Sequence, residues 1–142
     1  MSEIYYLNGD ILPTIPIPHD CEICKITFEN QFLIFTFTDN INLYDSIQYI
    51  KPEAKSLVIK YHLEDECFSL YEWHKPVKFF AKHGFYKAID ESELFKLPDT
   101  TKRLSYCFHC VSYQTMIIEL FALDRESFRL EITPDYVEFC WK

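Results

Sequence analysis

The last part of the chain, residues 104–141, reads LSYCFHCVSYQTMIIELFALDRESFRLEITPDYVEFCW. Apolar, β-branched and aromatic residues alternate there with polar ones in four runs, which are residues 104–113, 115–123, 128–133 and 136–141. Such alternation is typical of half-buried strands, and the segments between the last runs carry the Asp, Ser and Pro residues that favour turns. We therefore predict a four-strand antiparallel meander.

Earlier segments predict further strands. Residues 24–28 and 32–38 form one hairpin with a turn near Asn30, and residues 57–63 and 67–73 form a second hairpin around an acidic turn. Asn8-Gly9 predicts a two-residue hairpin turn after the first apolar run, because such turns need positive φ at both positions. The prolines at positions 13, 16 and 18 then leave an extended, unpaired strap.

Short helices are predicted in the middle of the chain. Residues 42–50 place apolar side chains at helical spacing, and Asp90 with Glu93 three residues on is an N-terminal capping pattern that Pro98 stops. Residues 76–83 fit a short helix or a strand, and we favour the helix. Together these predicted strands and helices indicate a mainly β (α+β) fold that forms a single domain over residues 1–142. Its antiparallel sheets form a sandwich or a curled half-barrel, with one to three short helices inserted in the middle third.

Composition excludes several classes of protein. The chain has 142 residues, of which 49% are hydrophobic and 18% aromatic, and this content rules out disorder as the main state. Two glycines are too few for a P-loop or a dinucleotide-binding fold. The net charge of −8 opposes nucleic-acid binding, which Lys and Arg drive. No apolar run is long enough to span a membrane and the start lacks a signal-peptide pattern, so we expect a cytoplasmic protein with reduced thiols.

Two C-x-x-C pairs, Cys21/Cys24 and Cys107/Cys110, are the clearest chemical motif. In a strand, residues i and i+3 point to opposite faces, so neither pair can bind one ion unless the strand bulges. His109 would share a face with Cys107. The candidate metal ligands are therefore Cys107, His109, Cys21 and Cys24, and they become a site only with a bulge or with the two regions on neighbouring strands. We expect structural cysteines and no metal or other cofactor.

Other reactive groups favour structural roles. The acidic clusters at residues 64–66 and 90–93 suit a turn and the start of a helix. A hydrolase-like enzyme would need at least two members of one set of groups to meet in a single cleft. That set consists of the two acidic clusters, Cys107, and the histidines at positions 62, 74, 83 and 109. The basic, aromatic stretch of residues 74–87 could contact single-stranded nucleic acid or an anionic surface, but an amphipathic element explains it better given the net charge.

The N-terminal third carries the functional prediction. Residues 1–45 contain seven acidic residues against one base, Lys25. Four tyrosines lie in or beside this region, and tyrosine is enriched at interface centres; they are Tyr5, Tyr6, Tyr44 and Tyr49. We expect a non-catalytic intracellular protein-binding domain, an inhibitor or immunity-type protein that neutralises a basic partner protein. The alternatives are a small-ligand-binding β-barrel or sandwich and, after it, a hydrolase-like enzyme. The sequence is also compatible with a homo-oligomer.

Overall fold

The computed structural model describes residues 1–76 and 83–142. These residues form two antiparallel five-stranded sheets. Sheet A has the spatial order β1 (Ser2–Tyr6), β10 (Tyr136–Trp141), β4 (Leu57–His62), β3 (Phe32–Phe37) and β2 (Ile23–Glu29). Sheet B has the order β6 (Phe85–Ile89), β5 (Phe68–His74), β9 (Ser127–Ile132), β8 (Thr115–Ala122) and β7 (Leu104–Ser112). The predicted mainly β fold is confirmed, and the arrangement is a sandwich.

Alternating side chains build the core between the sheets. In β10, Val137, Phe139 and Trp141 are buried while the residues between them are half-exposed, because successive side chains of a strand point to opposite faces. The same alternation runs through β3, β4 and β9. Large rings fill the centre, where Phe35 meets Tyr61 edge-to-face with centroids 5.3 Å apart.

Two predicted strand pairings are wrong. The second hairpin does not form, because β4 pairs with β3 and β10 in sheet A whereas β5 pairs with β6 and β9 in sheet B. The acidic segment between them is a crossing from one sheet to the other, with Leu63 buried and Glu66 at φ 58°. The four-strand meander is likewise three strands, β7 to β9, since β10 crosses to sheet A. Alternation identifies a strand but not its neighbours.

The N-terminal segment differs from the prediction in its turn. β1 pairs with β10 at the other end of the chain, so Asn8-Gly9 does not close a hairpin, and Gly9 has no positive φ. The β2–β3 hairpin is confirmed, with Asn30 and Gln31 at φ 52° and 69°. The proline-rich strap is also confirmed: residues 12–18 form neither helix nor strand, and within the strap the side chain of Ile15 is buried.

Helical structure is short in the described residues. A 3-10 turn (Ile41–Leu43) precedes α1 (Asp45–Gln48), where one short helix was predicted. The helix α2 (Glu93–Thr100) runs two residues beyond Pro98, which was expected to stop it. At its start, Asp90 Oδ1 accepts hydrogen bonds from the Ser92 amide (2.8 Å) and hydroxyl (2.6 Å). For residues 76–83 we predicted a helix rather than a strand, and residues 77–82 of that segment lie outside the described residues.

The two sheets are joined along one edge. The strands β2 and β7 lie side by side there, through a bridge between Glu22 and Ser105 and a hydrogen bond from the Tyr106 amide to the Cys21 carbonyl (3.0 Å). Both strands carry a bulge, at Cys24 in β2 and at Cys107 in β7. The other two edge strands are β1 and β6.

Candidate functional site

The outer face of sheet A carries a row of aromatic side chains. Register places Tyr6 of β1 opposite Tyr136 of β10, then His62 of β4, then Phe32 of β3. These four residues, which we name the aromatic row, all point away from the core, because their neighbours along each strand are the inward ones. Four strands therefore place four rings side by side at one end of the sheet.

The rings of the aromatic row are in contact. The imidazole of His62 stacks on Tyr136 with centroids 4.7 Å apart and planes at 11°. Phe32 meets His62 edge-to-face at 5.0 Å, and Tyr6 lies 5.8 Å from Tyr136. Tyr6 is 57% exposed, and the other three are half-buried. The result is a rigid, partly apolar strip on a solvent-facing sheet surface.

Acidic groups border the aromatic row. Asp135 Oδ1 lies 2.6 Å from His62 Nδ1, and the same oxygen accepts a hydrogen bond from the Tyr136 amide (3.1 Å). Burial raises the pKa of the Tyr136 phenol, and the carboxylates of Asp135 and Glu138 raise it further. Tyr136 therefore stays a neutral hydrogen-bonding phenol at neutral pH, beside negative charge.

The four tyrosines predicted from sequence separate into two pairs. Tyr6 belongs to the aromatic row, and Tyr49 is 87% exposed beside α1. Tyr5 and Tyr44 are half-buried and pack against the core, Tyr5 edge-to-face on Phe139 at 5.5 Å. Sequence reasoning missed Phe32 and Tyr136, and it named His62 only as a candidate catalytic histidine. Their only signal was the outward position of each in an alternating run; what brings them together is the strand order.

A second feature adjoins the other end of β1. A mostly apolar cleft of about 390 Å³ opens beside Met1, with Ile50, Pro52 and Trp141 among its walls. Glu3 Oε1 anchors this end, since it accepts a hydrogen bond from Trp141 Nε1 and lies 3.2 Å from Lys51 Nζ. The strand β1 thus runs from the cleft to the aromatic row.

The two C-x-x-C regions are neighbours, which was one of the conditions for a metal site. His19 Nδ1 lies 2.6 Å from the Cys107 carbonyl oxygen, and both predicted pairs contain a bulge. Even so, among residues 1–76 and 83–142 no three His, Cys, Asp or Glu side chains are grouped so that they could hold a metal ion. All six cysteines are free thiols. Burial raises the pKa of Cys107 and raises that of Cys21 to about 11.

Both ring nitrogens of His109 have hydrogen-bond partners within the fold, which favours a structural role. Its Nδ1 bonds to the buried Tyr106 hydroxyl, and its Nε2 lies 3.2 Å from the Ile15 carbonyl oxygen in the strap. A neutral ring with its proton on Nε2 satisfies both contacts, and burial lowers the pKa of His109 in agreement with that form. The side chain therefore ties the strap to β7.

The other predicted catalytic groups have separate partners. His62 pairs with Asp135, while His74 stacks on Phe85 with centroids 5.3 Å apart. His83 is exposed. Of the basic, aromatic stretch of residues 74–87, positions 77–82 lie outside the described residues. None of the helices in the described ranges is long and apolar enough to cross a membrane.

The outer face of sheet B carries an ion pair between a buried carboxylate and a half-exposed arginine. Glu119 of β8 is 5% exposed, and its Oε1 accepts a hydrogen bond from Arg129 Nε of β9 at 2.6 Å. Tyr86 of β6 donates its hydroxyl to the other carboxylate oxygen at 3.0 Å, and the guanidinium lies 4.2 Å from the Tyr86 ring centroid. Every oxygen of the carboxylate is thereby bound, which favours a structural role.

Comparison with known proteins finds little. No protein-family model matches the chain, and no solved structure matches it. A leucine--tRNA ligase of Azobacteroides pseudotrichonymphae genomovar. CFP2 is 33% identical over 103 residues, covering 66% of this chain. The chain spans only 11% of the length of that protein.

Proposed function

We propose that this chain is a non-catalytic intracellular domain that binds another protein, a basic one, through the outer face of sheet A. The aromatic row carries the proposal. Aromatic side chains concentrate at the centres of protein interfaces because they bury a large area at a small cost in conformational entropy. Here they are held in place by stacking and by Asp135 before any partner arrives.

The distribution of exposed apolar side chains also supports a binding role for the N-terminal third of the chain. In the part of the chain that the structure describes, nine of the fourteen exposed large apolar residues fall within residues 1–50, which is also the most acidic part. An apolar surface edged by carboxylates favours a basic protein, since complementary charge speeds association and selects the partner. An inhibitor or immunity-type protein that neutralises its target is the concrete form we propose.

A matched pair of variants tests this function. Tyr136→Ala removes the centre of the aromatic row, and Tyr71→Ala removes a half-buried tyrosine from β5 in sheet B. Each variant and the native chain would be immobilised and exposed to native lysate. The captured proteins would be quantified by mass spectrometry, and a protein that meets the expectation would be purified for calorimetry. We expect a basic protein that binds the native chain and Tyr71→Ala, binds Tyr136→Ala at least tenfold more weakly, and loses affinity with added salt. Equal binding to all three chains would contradict the proposal.

The partial match favours a second candidate. A region similar to part of a leucine--tRNA ligase could act as a β-rich accessory module that contacts RNA or the body of such an enzyme. The net charge of −8 opposes contact with phosphates and favours contact with protein. Filter binding of this chain to unfractionated tRNA at low salt distinguishes the two, because retention there would favour the RNA-contacting module.

A further inference from the structure

The edge of sheet A at β1 is unprotected. Edge strands are usually protected by bulges, prolines or lysines, because their unpaired backbone groups can pair with another chain. The edge strands β2 and β7 each carry a bulge, and β6 carries the exposed Lys87. β1 pairs with β10 in an unbroken register, with no proline and no lysine. Its one charged residue, Glu3, is bound by Lys51 and Trp141.

The register identifies which backbone groups of β1 point outward. Met1 and Trp141 exchange two hydrogen bonds of 2.9 Å, and the Leu7 amide donates to the Asp135 carbonyl at 2.9 Å. Since bonded pairs alternate in an antiparallel ladder, residues 3 and 5 also bond to β10, and residues 2, 4 and 6 direct their N–H and C=O groups away from it. Within the described ranges, no residue outside sheet A bonds to the backbone of Ile4 or Tyr6.

We infer that β1 pairs with β1 of a second copy of this chain, antiparallel, about a two-fold axis through Ile4. In that register Ile4 faces Ile4 and Ser2 faces Tyr6, so the three outward residues of each strand form three bonded pairs. Glu3 then lies opposite Tyr5 rather than opposite a second glutamate. Ile4 and Tyr6, which are 48% and 57% exposed in one chain, become covered.

The self-complementary register favours a second copy over other occupants of this edge. Glu3, the one charged side chain of β1, falls opposite Tyr5 and is already paired with Lys51, so no like charges meet across the two-fold axis. The dimer joins the two A sheets into one continuous sheet with an aromatic row from each copy on it. Because so short a strand buries little area, the association is weak and depends on concentration.

The test uses substitutions at Ile4, whose amide points away from β10. Ile4→Pro removes an outward N–H and leaves the β10 ladder intact, as proline does on edge strands. Ile4→Lys places two like charges opposite each other at the axis, and Ile4→Val is the matched control. In sedimentation equilibrium, we expect the native chain and Ile4→Val to approach twice the monomer mass of 17.1 kDa as concentration rises. The dissociation constants of Ile4→Pro and Ile4→Lys should be about tenfold higher or more.

Amide hydrogen exchange provides the second measurement. The Ile4 and Tyr6 amides of the native chain should exchange fast when dilute and slowly when concentrated, while the Glu3 and Tyr5 amides stay protected throughout. Tyr136→Ala should dimerise normally, so that failure of the partner proposal and failure of the dimer are separate results. A native chain that stays monomeric at the highest soluble concentration overturns the inference. The inference is also overturned if Ile4→Pro still forms a dimer in which the Tyr6 amide exchanges freely.

Discussion

The imidazole of His62 is held between the Tyr136 ring, on which it stacks at 4.7 Å, and the Asp135 carboxylate, whose Oδ1 lies 2.6 Å from its Nδ1. Strand β4 supplies the histidine, Tyr136 is the first residue of β10, and Asp135 directly precedes it. Asp135 also accepts the Tyr136 amide. One partly buried carboxylate thus fixes both the orientation of the histidine and the start of β10.

Asp135→Ala should lower the free energy of unfolding by about 1–2 kcal/mol, because it leaves two donors of the folded state without an acceptor. Urea unfolding monitored by tryptophan fluorescence measures the change. Asp10→Ala is the control, since Asp10 is exposed in a segment without helix or strand, and it should change stability by less than about 0.5 kcal/mol. Equal effects of the two variants would mean that the His62 contact does not stabilise the fold.

Phe35→Ala tests the assignment of the core. Phe35 is completely buried and contacts the rings of both Tyr61 and Tyr106, at 5.3 and 6.5 Å between centroids. Removing it leaves a cavity, for which we expect a loss of about 3–5 kcal/mol in the free energy of unfolding. Phe121→Ala, at a position that is 40% exposed on sheet B, should cost less than about 1 kcal/mol. Similar losses at both positions would contradict the inward assignment of β3.

The same residues indicate how far sequence could predict this molecule. The inward positions of β10, Val137, Phe139 and Trp141, follow directly from alternation. The contact of His62 with Asp135 does not, because 73 positions separate them and no local pattern says that β4 and β10 are neighbours. Strand order in a sandwich depends on which connections cross between sheets, and the acidic turn after Leu63 predicted a hairpin as readily as a crossing. The aromatic row is made of residues from four such neighbouring strands, so sequence named only Tyr6 as a protein-binding residue and His62 in a different, catalytic role.

His109 predicts a stability that depends on pH. Burial lowers its pKa in the folded state, so on acidification the unfolded chain takes up a proton before the folded chain does. The free energy of unfolding should therefore fall as the pH drops below about 6.5, the ordinary histidine pKa, until the pH reaches the lowered value. His109→Gln keeps a donor and an acceptor and should show a flatter dependence. Urea midpoints of both chains between pH 7.5 and 5 measure the difference, and parallel curves would contradict a neutral buried His109.

The thiols should differ in their reactivity. Cys21 is fully buried with its pKa raised to about 11, whereas Cys67 and Cys110 are exposed. Since the thiolate is the nucleophile, a pulse of iodoacetamide at pH 8 should modify Cys21 about a hundredfold or more slowly than the exposed pair. Peptide mass spectrometry of the native chain gives the rates, with urea-unfolded protein as the control in which they converge. Fast modification of Cys21 in the folded chain would mean that the segment just before β2 opens locally at that edge.

The Glu119–Arg129 pair on sheet B provides the last prediction. Glu119 is buried, and among residues 1–76 and 83–142 its one cationic partner is Arg129, through a bond of 2.6 Å. Arg129→Met should lower the free energy of unfolding by about 2–3 kcal/mol, because it leaves a buried carboxylate to the Tyr86 hydroxyl alone.

The double variant Arg129→Met/Glu119→Leu separates the value of the pair from the penalty of breaking it. A buried ion pair can be replaced by apolar residues at little cost, so this chain should regain most of the stability lost by Arg129→Met, and a double-mutant cycle from urea unfolding measures the coupling. Glu119→Leu alone leaves Arg129 half-exposed, where water solvates it, and should cost less than Arg129→Met. If instead the double variant is the least stable of the three, Glu119 and Arg129 stabilise the sheet through more than their mutual charge.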